Sequence, residues 1–386
     1  MARRRMASRL DGLGTTIFAE MSALAVATGA INLGQGFPDT DGPPEIVEAA
    51  VAALRGGHNQ YPPGPGIPIL RAAVAAHAER FHGLSYDPDA EVLITTGATE
   101  AIAAAVLGLV EPGDEVIALE PYYDSYAANI AMAGARRVPV TLRAPDFRLD
   151  TDRLRDAVTR RTKAILLNTP HNPTGAVLTA AETATIAEIA VANDLVVISD
   201  EVYEHLVFDG VHIPISSLPG MRERTVRISS AGKTFSFTGW KIGWAMAPPD
   251  LLAAVRTAKQ FLTYVSGAPF QPAVAQALGL PDAYYTELRD SLRSRRDQLC
   301  AGLAELGFAV FAPQGTYFLT TDTGPFDCAD GMEFCRRLPE RAGVVAIPHQ
   351  VFYDDLAAGE PLVRWAFCKR PEVIDAALDR LRVALG

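Results

Sequence analysis

The sequence predicts an α/β protein: a mainly parallel β-sheet covered by helices, joined to a smaller α+β unit. Three observations predict it. Short, almost wholly apolar runs recur between Pro44 and about Pro281, as strands buried on both faces do. Alanine-rich amphipathic stretches lie between many of them, which is the alternation of β–α–β units. Beyond Pro281 the pattern changes to one long helical stretch followed by short strands.

In chain order, the strand-type runs are "EVLITT" (91–96), "EVIALE" (115–120), "AILLN" (164–168), "LVVISD" (195–200), "TVRISS" (225–230) and "IGWAMA" (242–247). "ATEAIAAAVLGLV" and "AAETATIAEIAVAN" are helical between them. The second unit opens with the helix "DAYYTELRDSLRSRRDQLCAGLAELG". The strands "FAVFAP", "GTYFLTT", "GVVAIP" and "LVRWAF" follow, and a closing helix starts at Pro371. The first 40 or so residues do not fit the large sheet and are expected to pack with the C-terminal part. The division is therefore 44–281 for the large unit, with 1–43 and 282–386 forming the small one.

The chain has 386 residues, 49% hydrophobic and 21% charged, with a formal net charge of −10. This is ordinary for a globular protein. The acidic balance argues against a nucleic-acid partner. The longest apolar run, "AIAAAVLGLV", stops at Glu111 and is too short to span a bilayer. "MARRRMASRL" has no apolar segment after its arginines, so no signal peptide is expected. Cys300, Cys328, Cys335 and Cys368 form no CxxC pair, so the reading is plain thiols in a reducing cytoplasm. No HExxH or GxSxG occurs and the seven histidines are not expected to cluster. No metal site and no serine nucleophile are expected. Gly34-Gln35-Gly36 and Gly64-Pro65-Gly66 lack the third glycine of a dinucleotide fingerprint.

In open α/β sheets ligands gather at the carboxyl ends of the strands, and four such ends here carry polar residues. "ITTGATEA" runs through Gly97 into a helix, so the N–H groups of Ala98 and Thr99 form a natural phosphate cradle. "LLNTPHNPTG" places Asn168 and Asn172 around two prolines. "VVISDEVYEHL" ends an apolar strand on Asp200, a costly carboxylate to bury without a positive partner. "ISSAGKTFSFTGWKIGWA" sets Lys233 among small residues, where an amine is expected to be cramped and partly deprotonated. Pyridoxal phosphate asks for such a lysine for its aldehyde, an acid for its ring nitrogen and a donor nest for its phosphate. Lys233, Asp200 and Ala98–Thr99 supply these in turn. The Asp–pyridinium attraction is only ~1 kcal/mol at 4 Å in water and several-fold larger near ε ≈ 20, so burial of Asp200 is what would keep the ring protonated.

Over nearly its whole length the chain resembles the fold-type I, class I pyridoxal-phosphate-dependent aminotransferases. The resemblance implies a seven-stranded-type central sheet and a homodimer with shared active sites. "SSAGKTFSFTGWKIGW" resembles the cofactor-lysine motif, making Lys233 the catalytic lysine and Ser230 and Lys241 phosphate ligands. By the same likeness, Asn172 in "NTPHNPTG" and Tyr203 in "SDEVY" bond the ring's phenolic oxygen, and Asp200 meets its nitrogen. Tyr123 in "EPYYDSY" stacks on the ring, and Tyr61 in "NQYPPGPG" reaches the phosphate of the neighbouring subunit. Arg364 in "LVRWAF" clamps the substrate's α-carboxylate, a task that suits a bidentate fork. Gly36 in "INLGQGFPD" touches substrate through its backbone, and Phe18 and Tyr264 lie near the substrate's side chain.

"INLGQGFPD" and "EPYYDSY" resemble the kynurenine/glutamine/methionine branch of the class. "IFAEMSALA", "YPPGPG" and "GAPFQPAVA" resemble the N-succinyldiaminopimelate aminotransferases. The implied substrate is N-succinyl-L,L-diaminopimelate with 2-oxoglutarate/glutamate; a β-lyase on the same fold is the alternative reaction. The segment between His349 and Leu362, near the substrate entrance, is shorter than the family pattern. A regulator's effector domain is disfavoured, since no DNA-binding segment precedes residue 30.

Overall fold

The computed structural model describes residues 6–326, 328 and 330–385. The arginine-rich start of the chain, Met1 to Arg5, lies outside the described residues. Seven strands make the large sheet: β1 (Val92–Thr96), β2 (Glu115–Glu120), β3 (Arg136–Thr141), β4 (Thr162–Asn168), β5 (Val196–Asp200), β6 (Thr225–Ser230) and β7 (Ile242–Met246). Their spatial order is β1-β7-β6-β5-β4-β2-β3. Neighbours run parallel except β7, which is antiparallel to both β1 and β6. The six apolar runs read from the sequence are therefore strands, and the fold class agrees.

β3 escapes that reading. "RRVPVT" carries two arginines and Pro139 and is only partly buried, so it has no continuous apolar signature. It pairs only with β2, at the sheet's edge, where proline is tolerated because no further ladder needs its missing N–H. The central strands alternate between two cores. Val116, Ala118, Leu166, Ile198, Val226 and Ile228 face one, and Ile117, Leu119, Ile165, Leu167 and Val197 face the other. Burial of both faces is why these strands read as unbroken apolar runs.

Helix Gly97–Leu109 leaves β1 with Gly97 at φ +71°. A Cβ on the adjacent Gly243 would lie 2.5 Å from the Gly97 carbonyl carbon, so the β1–β7 crossing requires glycine there. Helix Ala180–Ala192 begins with a capping box, the Thr179 hydroxyl and the Glu182 carboxylate each accepting from the other's backbone N–H.

The smaller sheet has β8 (Ala309–Phe311), β9 (Phe318–Asp322), β10 (Ile347–Pro348) and β11 (Leu362–Ala366), all antiparallel, in the order β10-β11-β9-β8. The expected single strand "GVVAIP" is instead two. Val344–Val345 pairs in parallel with Ile31–Asn32, whereas Ile347–Pro348 pairs with β11. The chain changes partners at Ala346, which ties the N-terminal segment to the C-terminal one. Helix Ile17–Thr28 packs in the same core, where Met21, Leu33, Phe318, Val345 and Trp365 are buried. The long helix spans Asp282–Glu305 and the closing one Pro371–Leu385. Among the described residues no helix is long and apolar enough to cross a membrane.

Candidate active site

The parallel strands end on one edge of the large sheet, and Asn168, Asp200 and Ser230 are the last residues of β4, β5 and β6. Because β7 runs the other way, its start brings Lys241 to this edge beside the Gly97 turn. A cavity of about 960 Å³ opens here. Every candidate site residue named above lines it except Tyr61 and Tyr264.

Lys233 lies in the short helix Ala231–Thr234. Its Nζ approaches the Gly36 carbonyl at 3.4 Å and sits 5.6 and 5.5 Å from the ring centres of Tyr203 and Tyr317. Desolvation, only partly offset by Cys368 and Asp200, pushes its amine down to about 8. A useful fraction of free amine therefore exists at neutral pH, as nucleophilic or general-base chemistry needs.

Asp200 is 5% exposed. The Tyr126 hydroxyl donates to Oδ2 at 2.6 Å and the Val202 N–H to Oδ1 at 3.3 Å. Burial pushes the carboxyl up to about 6, with the two hydrogen bonds opposing. No ion pair to a described residue holds it. Asn168 ties this strand end to the next loop, its side chain donating to the Asp200 carbonyl at 3.0 Å and accepting from the Asn172 N–H at 2.7 Å.

Arg364 is 1% exposed, yet none of its bonds goes to a carboxylate. Nη1 donates to Asn172 Oδ1 at 3.0 Å and Nη2 to the Gly34 carbonyl at 2.8 Å, while the buried Nε has no partner. The rings of Phe318, Phe18 and Phe352 surround the guanidinium at 4.1, 5.1 and 5.3 Å. Burial lowers it to about 10. A desolvated guanidinium with spare donors fits an incoming carboxylate.

Lys241 has a left-handed backbone, φ +55°. A Cβ at Gly97 would come within 3.3 Å of its Nζ, so glycine leaves room for the ammonium at the start of a 13-residue helix. Ser230 and the N–H groups of Ala98 and Thr99 share that corner, and helix N-termini favour anions. Tyr123 is half-buried, edge-on to Tyr126 at 5.8 Å. Tyr203 is buried edge-on to Tyr317, whose hydroxyl donates to the Gly36 carbonyl at 2.6 Å. Tyr61 and Tyr264 are 80% and 49% exposed, ring centres 5.5 Å apart, away from their own chain's cavity.

Two partners of these groups carried no sequence signal of their own. Tyr126 is found only through helix spacing, three residues beyond Tyr123. Tyr317 sits in an ordinary strand-like run.

The histidines correct the expectation that they do not cluster. His77, His82, His205 and His212 gather beside Glu201, Glu204 and Arg227 on the far side of the Asp200 turn, outside the cavity. His82 pairs with Glu204 at 2.7 Å, His212 with Glu201 at 2.9 Å, and Arg227 with both glutamates. Despite burial, Arg227 and His212 hold Glu201 down to about 2. One helix supplies two of the histidines and the segment after β5 the other two, which hid the grouping. His77, Glu204 and His205 offer ligand-type atoms within 4.8 Å of one another. Those atoms are already engaged: the two Nε2 atoms face each other at 3.0 Å, and Glu204 also accepts from Ser229.

An amine of lowered basicity, a buried carboxylate lacking a cation, and an anion-binding helix start define the site of a pyridoxal-phosphate enzyme, and the residues present fit that cofactor. Residues 28–381 match the family described as aminotransferase class I and II. The chain belongs to this family and is a transaminase dependent on pyridoxal 5′-phosphate. It is 60% identical to a probable N-succinyldiaminopimelate aminotransferase of Mycobacterium tuberculosis, over 97% of this chain and 98% of that one. The solved structure of N-succinyldiaminopimelate aminotransferase from the same organism superposes with a TM-score of 0.96 over 98% and 100% of the two chains. Methionine aminotransferase of Escherichia coli is 42% identical over 97% of each chain. Mouse kynurenine–oxoglutarate transaminase 3 is 37% identical over 97% of this chain and 89% of its own.

Proposed function

We propose that the chain transfers the amino group between N-succinyl-L,L-diaminopimelate and 2-oxoglutarate. The observation that carries this substrate is the 60% identity over essentially full length to the mycobacterial relative described in those terms. A methionine- or kynurenine-type specificity is the second reading, favoured by the rings of Phe18, Phe318 and Phe352 around Arg364. The test is kcat/KM for N-succinyl-diaminopimelate against methionine, kynurenine and glutamine. The succinylated substrate should lead; an advantage of about tenfold for any of the others overturns the assignment.

The bound cofactor supplies an electron sink for the bond broken at the substrate's Cα. In this reading Lys233 Nζ would hold the cofactor's aldehyde carbon and, once freed, would take the substrate's Cα proton. Asp200, fixed by Tyr126, keeps a positive charge on the ring nitrogen. Ser230, Lys241 and the N–H groups of Ala98 and Thr99 hold the phosphate. Asn172 and Tyr203 bond the phenolic oxygen and Tyr123 covers the ring face. Arg364 grips the α-carboxylate, with Gly36 beside it; Phe18, and Tyr264 contributed by the neighbouring subunit, flank the side chain.

Tyr61 and Tyr264 belong, on this proposal, to the neighbouring subunit's site in a cytoplasmic homodimer. The large unit is 44–281 and the small one 1–43 with 282–386. Mixing inactive Tyr61→Ala and Lys233→Ala chains should restore activity, because a hybrid keeps one complete site. A fully active monomer in sedimentation sinks the dimer.

A further inference from the structure

Four basic side chains line the cavity: Lys233, Lys241, Arg364 and Arg137. The first three have tasks in the proposed function. Arg137 has none, and nothing in its run "RRVPVT" singles it out. We infer that Arg137 is the subsite for the far carboxylate of the substrate, so that the enzyme selects amino acids carrying a second carboxylate several bonds from the reacting amine.

The guanidinium is held in one pose. Nε donates to Asp354 Oδ2 at 2.9 Å, and Nη2 pairs with the other oxygen of the same carboxylate. The group lies over the Tyr122 ring at 5.1 Å, and the Tyr122 hydroxyl donates to Asp354 Oδ1 at 2.6 Å. The Asp354 N–H in turn donates to Glu120 Oε2 at 2.6 Å, and Thr141 donates to Oε1 at 2.7 Å. Everything that restrains Arg137 uses one edge of its fork. Nη1 makes no hydrogen bond to a described residue, and the side chain remains 24% exposed. A fixed, partly desolvated guanidinium with a free edge is the form in which arginine recognises carboxylates.

Asp354 does not forbid this. Its charge is committed to Arg137 and Tyr122, so a second carboxylate on the Nη1 side makes the arginine a bridge between two anions. Asp124, another carboxylate lining the cavity, is pushed upward by burial, which softens its repulsion. Asp354 belongs to the segment between His349 and Leu362, and Val351, Phe352 and Tyr353 from that segment also line the cavity. The segment's length therefore sets where Arg137 is pinned. The substrate named above has such far carboxylates, on its succinyl group and at its second amino-acid end; to that extent the inference rests on the proposed function.

The test uses the holoenzyme and two amino acids of one chain length: 2-aminopimelate, with a far carboxylate, and 2-aminoheptanoate, without it. In wild type, kcat/KM should favour 2-aminopimelate. In Arg137→Gln that preference should fall at least about tenfold, mainly through KM, since loss of a charged hydrogen-bonded contact weakens binding by such factors or more. Arg137→Lys keeps the charge without the fork and should show an intermediate preference; it carries the test if the glutamine variant does not fold. An unchanged preference, including an equal loss for both amino acids, overturns the inference and leaves Arg137 a structural partner of Asp354. If wild type instead prefers methionine to N-succinyl-diaminopimelate, the proposed substrate fails, whereas the preference ratio still reads out Arg137.

Discussion

Lys233→Ala should bind cofactor and yet be nearly inert. Removing the group that moves the Cα proton forfeits on the order of 10²–10⁴ in rate from general-base catalysis alone. The environment that lowers this amine to about 8 cannot pass the task to Lys241, which sits against the Gly97 turn. Borohydride treatment of wild-type holoenzyme followed by peptide mapping should find the pyridoxyl group on Lys233. A label on Lys241, or wild-type Cα proton exchange in the alanine variant, refutes the assignment.

The second large effect is expected at Asp200. Breaking a buried charge pair by removing one partner costs about 3 kcal/mol or more, on the order of a hundredfold in turnover or cofactor affinity. Asp200→Ala also strands the Tyr126 hydroxyl, a destabilisation of about 1–3 kcal/mol that a melting experiment reads separately. Asp200→Asn keeps an acceptor and removes only the charge, so it should lose turnover while melting close to wild type. Asp200→Glu should be the mildest of the three. Wild-type turnover in the asparagine variant would mean that the carboxylate is only a turn residue.

How much of this was legible depended on whether a residue's environment is written in its neighbours. β1, β2 and β4 to β7 showed as apolar runs because both their faces are covered; edge strand β3, only partly buried and interrupted by Pro139, showed nothing. The reversed direction of β7 leaves no trace in composition, although it brings Lys241 to the cofactor end. Lys233 and Asp200 stood out because a charge among small or apolar residues is costly. Tyr126, Tyr317 and Arg137 look like ordinary members of a helix or a strand, and only long-range contacts reveal what they hold. The histidine–glutamate–arginine group is the same case: its members are separated by up to 150 positions, from His77 to Arg227.

Arg364 reaches back to the Gly34 carbonyl, 330 positions away, and the strand partner of Ile31–Asn32 is Val344–Val345. Contacts of such separation form late, because chain closure must be achieved before they reward it. During synthesis the large sheet has all its strands well before β11 leaves the ribosome, so the Gly97 corner and Lys233 can be in place before Arg364 is. On the proposed function, substrate recognition is therefore completed only once β11 has joined its sheet. On that proposal a chain truncated before β11 should have no grip on an amino acid's carboxylate.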